Sequence, residues 1–294
     1  RRALVVDGQA AAAVGDGAVV HHGDAGRGDA LVVTGLGAPT WDAAGAGDSP
    51  LKDERVRRAI AHAIDREYRV ISALKDSSVP VPAALAWCDD ESIVGTPFYL
   101  MDYLDGRVFV DQSLPAMTSS QREAIYREMN RVISQLHQLD IDAIGLGDFG
   151  KREDYLSRQI GRWAKQFNGA SLPIPDAARR LIDWLPEHLP AAQPAALIHG
   201  DFRLDNLIFH HSEPRVIGVL DWELSTIGDP ISDFAYHCMS WHIPPGEFRG
   251  IAGLDLAALG IPAEAEYVRR YCERTGRGRI DEAHWDFYLA YNLF

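Results

Sequence analysis

Between residues 196 and 223 the chain carries three short apolar runs, Ala196 to Ile198, Asn206 to Phe209 and Val216 to Asp221, set in turns dense with polar and acidic residues. On either side the apolar residues recur at spacings of three and four, the period of a helix packed on one face. A β-rich island inside helical sequence reads as an α+β fold. The helical stretches are legible individually. Arg55 to Leu74 places Ile60, Ile64, Tyr68, Ile71 and Leu74 on one stripe, and Val79-Pro80-Val81-Pro82 follows it with residues that disfavour helix. Ser120-Gln121-Arg122-Glu123 reads as a capping box opening a helix through Ile125, Met129, Val132, Ile133 and Leu136. Residues 153–168, 176–187 and 264–275 read as further helices. Two strands are expected earlier, Ala84 to Cys88 and Pro97 to Tyr103, the second followed by an Asp105-Gly106 turn.

Composition bounds the function classes. Of 294 residues 47% are hydrophobic, enough for a sizeable core, and no apolar run is long enough to span a bilayer. A net charge of −13 argues against a protein that coats nucleic acid. Cys88, Cys238 and Cys272 are too few and too scattered for a disulfide framework or a zinc site, which fits a reducing, cytoplasmic compartment. The sequence carries no signal for an oligomeric state.

The average hides a first fifth of different character. Ala, Gly, Val and Asp make up 35 of the first 50 residues, a stretch with no Ile, Phe, Tyr, Met, Lys, Glu, Asn or Cys. It lacks the basic start and continuous apolar core of a signal peptide, and so much Gly and Ala buries little area per residue ordered. All four residue types are encoded by codons beginning with G. Residues 1–58 therefore read as a frame-shifted segment of a GC-rich gene, or else as a divergent or disordered extension. Reading the gene in its other two frames distinguishes these: neither frame yielding strands, a glycine-rich turn and a lysine would exclude the frame shift.

The chemistry concentrates in the island. His199-Gly200-Asp201-Phe202-Arg203-Leu204-Asp205-Asn206 is followed by an apolar strand ending in Asp221-Trp222-Glu223. Asp201 and Asn206 flank a tight loop, and Asp221 closes the next strand. If the strands holding Asn206 and Asp221 pair as a hairpin, the three side-chain oxygens converge. Hard oxygen donors without a Cys or His cluster suit Mg²⁺, which binds through one or two carboxylates plus phosphates. A carboxylate not used by the metal can take a proton from a hydroxyl. Taken singly, each Asp also reads as a turn or helix cap, and His199 as a histidine bonding loop backbone.

At these residues the sequence resembles the aminoglycoside phosphotransferase and choline kinase family, whose members have a protein-kinase-like fold. It is most similar to the kinase-like domain fused to some acyl-CoA dehydrogenases. The resemblance rests on Asp65-Arg66-Glu67-Tyr68-Arg69-Val70, His199 through Phe209, Val219 through Pro230, and Asp233-Phe234-Ala235-Tyr236, and covers about residues 60–294. It implies a bilobal molecule. Residues 59–105 would be the rest of a small sheet-bearing lobe and hinge, with 1–58 standing where its first part belongs. Residues 106–294 would form a helical lobe with the catalytic loop.

It also implies roles. Asp201 would be the catalytic base, with His199 and Arg203 beside it. Asn206 and Asp221 would hold Mg²⁺ against the phosphates of ATP, or of GTP in its place. Glu67 would pair with a phosphate-binding lysine, and the backbone of Met101, Asp102 and Tyr103 would meet the base of the nucleotide. Asp233 would brace the catalytic loop. The acceptor would be a hydroxyl of a small molecule.

The family also needs a glycine-rich loop and a strand lysine before Asp65. Lys52 is the sole lysine there, in loop-like surroundings, and Gly35-Leu36-Gly37 is a fragment of such a loop. A pseudokinase that keeps the fold but has lost its grip on phosphate is therefore the second reading. A third, a two-metal phosphoesterase, rests on His-Gly-Asp followed by His210 and His211. Residues 241–288 would wall the acceptor pocket. Their acids, Glu247, Asp255, Glu264, Glu266, Asp281 and Glu282, read either as a draw for a cationic acceptor such as an aminoglycoside or choline or as a solvated helix face. A hydroxyacyl-CoA is the other acceptor that the resemblance suggests. The chain stops inside the helical, aromatic run Tyr291 to Phe294, which reads as a fragment of a longer protein.

Overall fold

The computed structural model describes residues 19–21, 30–34, 54–90, 96–169, 175–247 and 249–293. In chain order the elements are β1 (Val19–His21), β2 (Ala30–Thr34), α1 (Glu54–Leu74), β3 (Ala84–Cys88), β4 (Phe98–Asp102), α2 (Ser119–Leu136), α3 (Tyr155–Gly169), α4 (Asp176–Glu187), β5 (Ala196–Ile198), β6 (Leu207–Phe209), β7 (Val216–Val219), β8 (Thr226–Gly228), α5 (Pro230–Cys238), α6 (Leu256–Leu259), α7 (Glu264–Thr275) and α8 (Glu282–Leu293). They fall into two compact units. One comprises residues 1–110 and 203–225, the other 111–202 and 226–294.

The first unit is built on an antiparallel sheet in the order β1-β2-β4-β3. Strand β4 is central: Met101 lies opposite Leu31 of β2 and Ala84 of β3. Strands β1 and β2 lie within the Ala- and Gly-rich stretch, where the runs Val19-Val20 and Leu31-Val32-Val33 supply the β-branched residues that strands favour. The composition of that stretch concealed them. Lys52 and Gly35-Leu36-Gly37 lie outside the described residues.

The hairpin β6–β7 belongs to this unit, although the resemblance groups the whole catalytic loop with residues beyond 105. Backbone bonds tie it there. Arg107 and Phe209 exchange a pair at 2.7 and 2.8 Å, and Val219 N–H donates to the Pro80 carbonyl at 2.8 Å. The expected Asp105-Gly106 turn does not form, since the chain runs on without a bend to pair at Arg107; the glycine is needed there because a Cβ at Gly106 would stand 2.5 Å from the Phe209 carbonyl oxygen.

The second unit is mostly helical. Leu156, Ile160, Leu185, Ile231, Ala235, Phe287 and Tyr288 form one apolar cluster. Phe234 stacks on Tyr271 with ring centroids 3.8 Å apart. Strands β5 and β8 pair antiparallel, Leu197 opposite Ile227. The capping box of α2 is made by Thr118 and Gln121, two residues before the expected Ser120 and Glu123. Thr118 takes the position because its hydroxyl accepts the Gln121 N–H while the Gln121 side chain accepts the Thr118 N–H. Cys88, Cys238 and Cys272 are unpaired. Among the described residues no helix is long and apolar enough to cross a membrane.

Candidate active site

In the first unit the expected hairpin forms, with Leu207 opposite Val219. Asn206 ends the single 3-10 turn Leu204–Asn206 that leads into β6, and its carbonyl accepts the Leu220 N–H at 2.9 Å. That bond sets Asn206 beside the last residue before Asp221. Asn206 is buried. Asp221 has φ +66°, the left-handed region that a residue with a Cβ adopts only when its surroundings hold it there. Trp222 is fully buried and its indole N–H donates to the Val219 carbonyl at 2.9 Å, which fixes the turn behind Asp221.

Helix α1 docks on this turn through two consecutive side chains. The Arg66 guanidinium donates to the Ser225 carbonyl at 2.9 Å, and the Trp222 N–H donates to Glu67 Oε1 at 3.3 Å. Burial, and then repulsion from Asp221, push the Glu67 carboxyl up to about 7. Glu67 and Asp221 are two acids near one another, and Asn206 adds a carboxamide at the foot of the paired strand. That fits Mg²⁺ held by Asn206 and Asp221, because a divalent cation would relieve the repulsion that now raises Glu67.

Met101 is buried in β4, and the Asp102 N–H donates to the Ala83 carbonyl at 2.9 Å. Tyr103 is one residue past the paired stretch, with 39% of its surface exposed. Arg203 is extended, its Nε 3.6 Å from Asp205 Oδ1.

In the second unit β5 delivers His199-Gly200-Asp201-Phe202 onto α5. Gly200 turns at φ +83°. The His199 and Gly200 N–H groups donate to the two oxygens of Asp233 at 3.0 and 2.8 Å. Burial pushes the Asp233 carboxyl up, but the hydrogen bond and charge of His137, with His199 behind them, outweigh it and hold the carboxyl below its ordinary value. His137 stands between Asp233, 3.0 Å from its Nε2, and the Tyr271 hydroxyl, 2.7 Å from its Nδ1. Asp233 is thus the expected brace. His199 is a second brace: it is fully buried, and its Nδ1 accepts the Asp201 N–H at 3.2 Å.

Two contacts of this loop escaped sequence reasoning. Tyr236 donates its hydroxyl to Asp201 Oδ1 at 2.5 Å. His237 donates from Nδ1 to the Phe202 carbonyl at 3.2 Å and accepts the Tyr267 hydroxyl at Nε2, 2.8 Å away. The signal was present in Asp229-Pro230, a helix cap followed by proline, which starts α5 and fixes the face that Asp233, Tyr236 and His237 share.

The acids expected around an acceptor are largely engaged locally. Glu264 binds His242 at 2.7 Å and the Trp285 indole at 3.0 Å. Glu266 pairs with Arg269 and Arg270, Asp281 with His284, and Asp255 caps α6. His210 Nδ1 receives the Ser212 and Glu213 N–H groups of a turn, and His211 faces Asp105 at 3.0 Å. Among the described residues no group of three or more His, Cys, Asp or Glu is placed to hold a metal, so the two-metal phosphoesterase reading gains no support.

A model of a phosphotransferase enzyme family, APH, matches residues 35–283. Acyl-CoA dehydrogenase family member 10 of Mus musculus is 49% identical over 236 residues, which cover 80% of this chain and 22% of that protein. The chain spans 22–30% of the length of the curated relatives it matches. A candidate aminoglycoside phosphotransferase of Ralstonia eutropha has a crystal structure with TM-score 0.81 and 47% identity, covering 95% of this chain and 77% of that one. The ternary complex of APH(2'')-IIa with streptomycin and ATP shares the fold at TM-score 0.55 and 17% identity, covering 89% of this chain and 74% of its own. The family match begins well before residue 60, so the likeness reaches further toward the N-terminus than the motifs suggested.

Proposed function

Because the chain belongs to the APH phosphotransferase enzyme family, whose fold serves phosphoryl transfer to small molecules, we propose that it moves the γ-phosphoryl group of ATP to a small-molecule hydroxyl, with Mg²⁺ as cofactor. The observation that carries this reading is the construction of the Asp201 loop. The His199 and Gly200 N–H groups are held by Asp233, the Phe202 carbonyl by His237 and one Asp201 carboxylate oxygen by Tyr236, which together set the Asp201 carboxylate in one orientation.

Asp201 accepts the proton of the attacking hydroxyl. Asn206 and Asp221 hold the metal, which when bound supplies positive charge that neutralises the transferring phosphoryl group. The left-handed turn at Asp221, fixed by Trp222 and by Glu67 and Arg66 of α1, holds its carboxylate in place without rearrangement. By likeness to the family, the backbone of Met101 to Tyr103 completes the nucleotide contacts and Arg203 belongs with the catalytic residues.

Calorimetric titration with ATP in the presence and absence of Mg²⁺ tests the metal assignment. Wild type binds at least tenfold tighter with Mg²⁺, and Asp221→Asn loses that gain; equal affinities under both conditions would refute it.

The second reading that the sequence carries is a pseudokinase, which keeps the fold but not the grip on phosphate. Mg²⁺-dependent ATP binding without turnover sensitive to Asp201→Ala is the result that would select it.

A further inference from the structure

Three side chains of one α5 face touch successive residues of the catalytic loop. Asp233, Tyr236 and His237 stand at i, i+3 and i+4, the spacing that puts side chains on one stripe of a helix. Asp233 takes the N–H groups of His199 and Gly200, and His237 takes the carbonyl of Phe202. Both of these engage backbone, so they shape the loop without selecting the residue in its middle. Tyr236 differs. Its hydroxyl reaches the Asp201 carboxylate itself, at 2.5 Å. Asp233 and His237 are buried, whereas Tyr236 is partly exposed, so its hydroxyl and not its ring distinguishes it from its neighbours.

We propose that Tyr236 is a positioning residue for phosphoryl transfer: its hydroxyl fixes the rotation of the Asp201 carboxylate. The proposal rests on the reading of Asp201 as the base. The terminal torsion of an aspartate is broad, so a carboxylate on a loop turns freely unless a partner pins one oxygen. A short O–H···O⁻ bond is charge-assisted and stronger than a neutral one.

The test compares wild type, Tyr236→Phe and Asp201→Ala, full-length, with water as the acceptor of the phosphoryl group from Mg·ATP. Phenylalanine keeps the ring and removes the contact. Tyr236→Phe should melt like wild type and bind Mg·ATP unchanged. Its kcat should fall about tenfold while its KM for Mg·ATP stays unchanged. A kcat equal to that of wild type, in a protein whose Asp201→Ala variant is dead, overturns the proposal while leaving the base assignment standing.

An Asp201→Ala chain that turns over like wild type overturns the base assignment and the catalytic consequence with it. The contact is tested without turnover by the ¹³C chemical shift of the Asp201 carboxyl at pH 7 in the nucleotide-free protein. The shift should change in Tyr236→Phe, and an unchanged shift refutes the contact.

Discussion

At the scale of single residues, the Asp201 loop depends on groups whose protonation burial has decided in advance. Burial lowers the His237 imidazole to about 4, so it is neutral at pH 7 and can donate to Phe202 while accepting from Tyr267. The sign of the pH effect follows. The folded value lies below the ordinary 6.5, so between those values the unfolded chain binds the proton and the folded chain does not. Stability is full above about pH 6.5 and falls as the pH drops toward 4. Melting temperatures measured from pH 7 to pH 4 should therefore fall more steeply for wild type than for His237→Gln, whose amide does not titrate. Parallel curves would show that another group sets the acid limb.

Among elements, α5 organises the second unit, and the segment Gly106-Arg107 anchors the hairpin of the first. Asp233 is buried with both oxygens accepting backbone N–H groups and His137 beside it. Asp233→Asn keeps the volume but removes the charge and sets an amide N–H against a donor. It should cost about 3 kcal/mol or more in denaturant unfolding, the scale of breaking a buried charged network, and reduce turnover with it. Gly106→Ala places a Cβ against the Phe209 carbonyl oxygen, a backbone atom that cannot swing away. About 1–3 kcal/mol of lost stability is expected by the same measurement.

Much at this scale was legible. Helix α1 starts one residue from its expected position, while β3, α4 and α7 keep the expected limits, because periodicity and flanking prolines mark them. Strand β8 and helix α5 were passed over as motif sequence, since three and nine residues are too short for a period to show. Strands β1 and β2 were masked by the glycine and alanine around them.

For the whole molecule, the fold is the α+β, kinase-like one that the island and its flanking helices implied, and family membership follows from the same residues. The oxygen donors proposed for the chemistry stood out in the sequence because a metal and a phosphoryl group demand particular donors at particular turns. Tyr236 and His237 were not, since their roles arise from which face of α5 meets the loop, a fact of packing that spacing alone does not state. The acceptor stayed unread for a related reason: Asp255, Glu264, Glu266 and Asp281, four of the acids that suggested a cation-binding wall, are engaged by neighbouring arginines, histidines and a helix cap.

The central claim is that Asp201 serves phosphoryl transfer from Mg·ATP. Its most direct test is the rate of ADP release from Mg·ATP by wild type and Asp201→Ala, under conditions where both bind the nucleotide equally. A loss of about 100-fold or more in kcat is predicted for the variant, the scale of removing a general base. Equal rates for the two proteins would contradict the account.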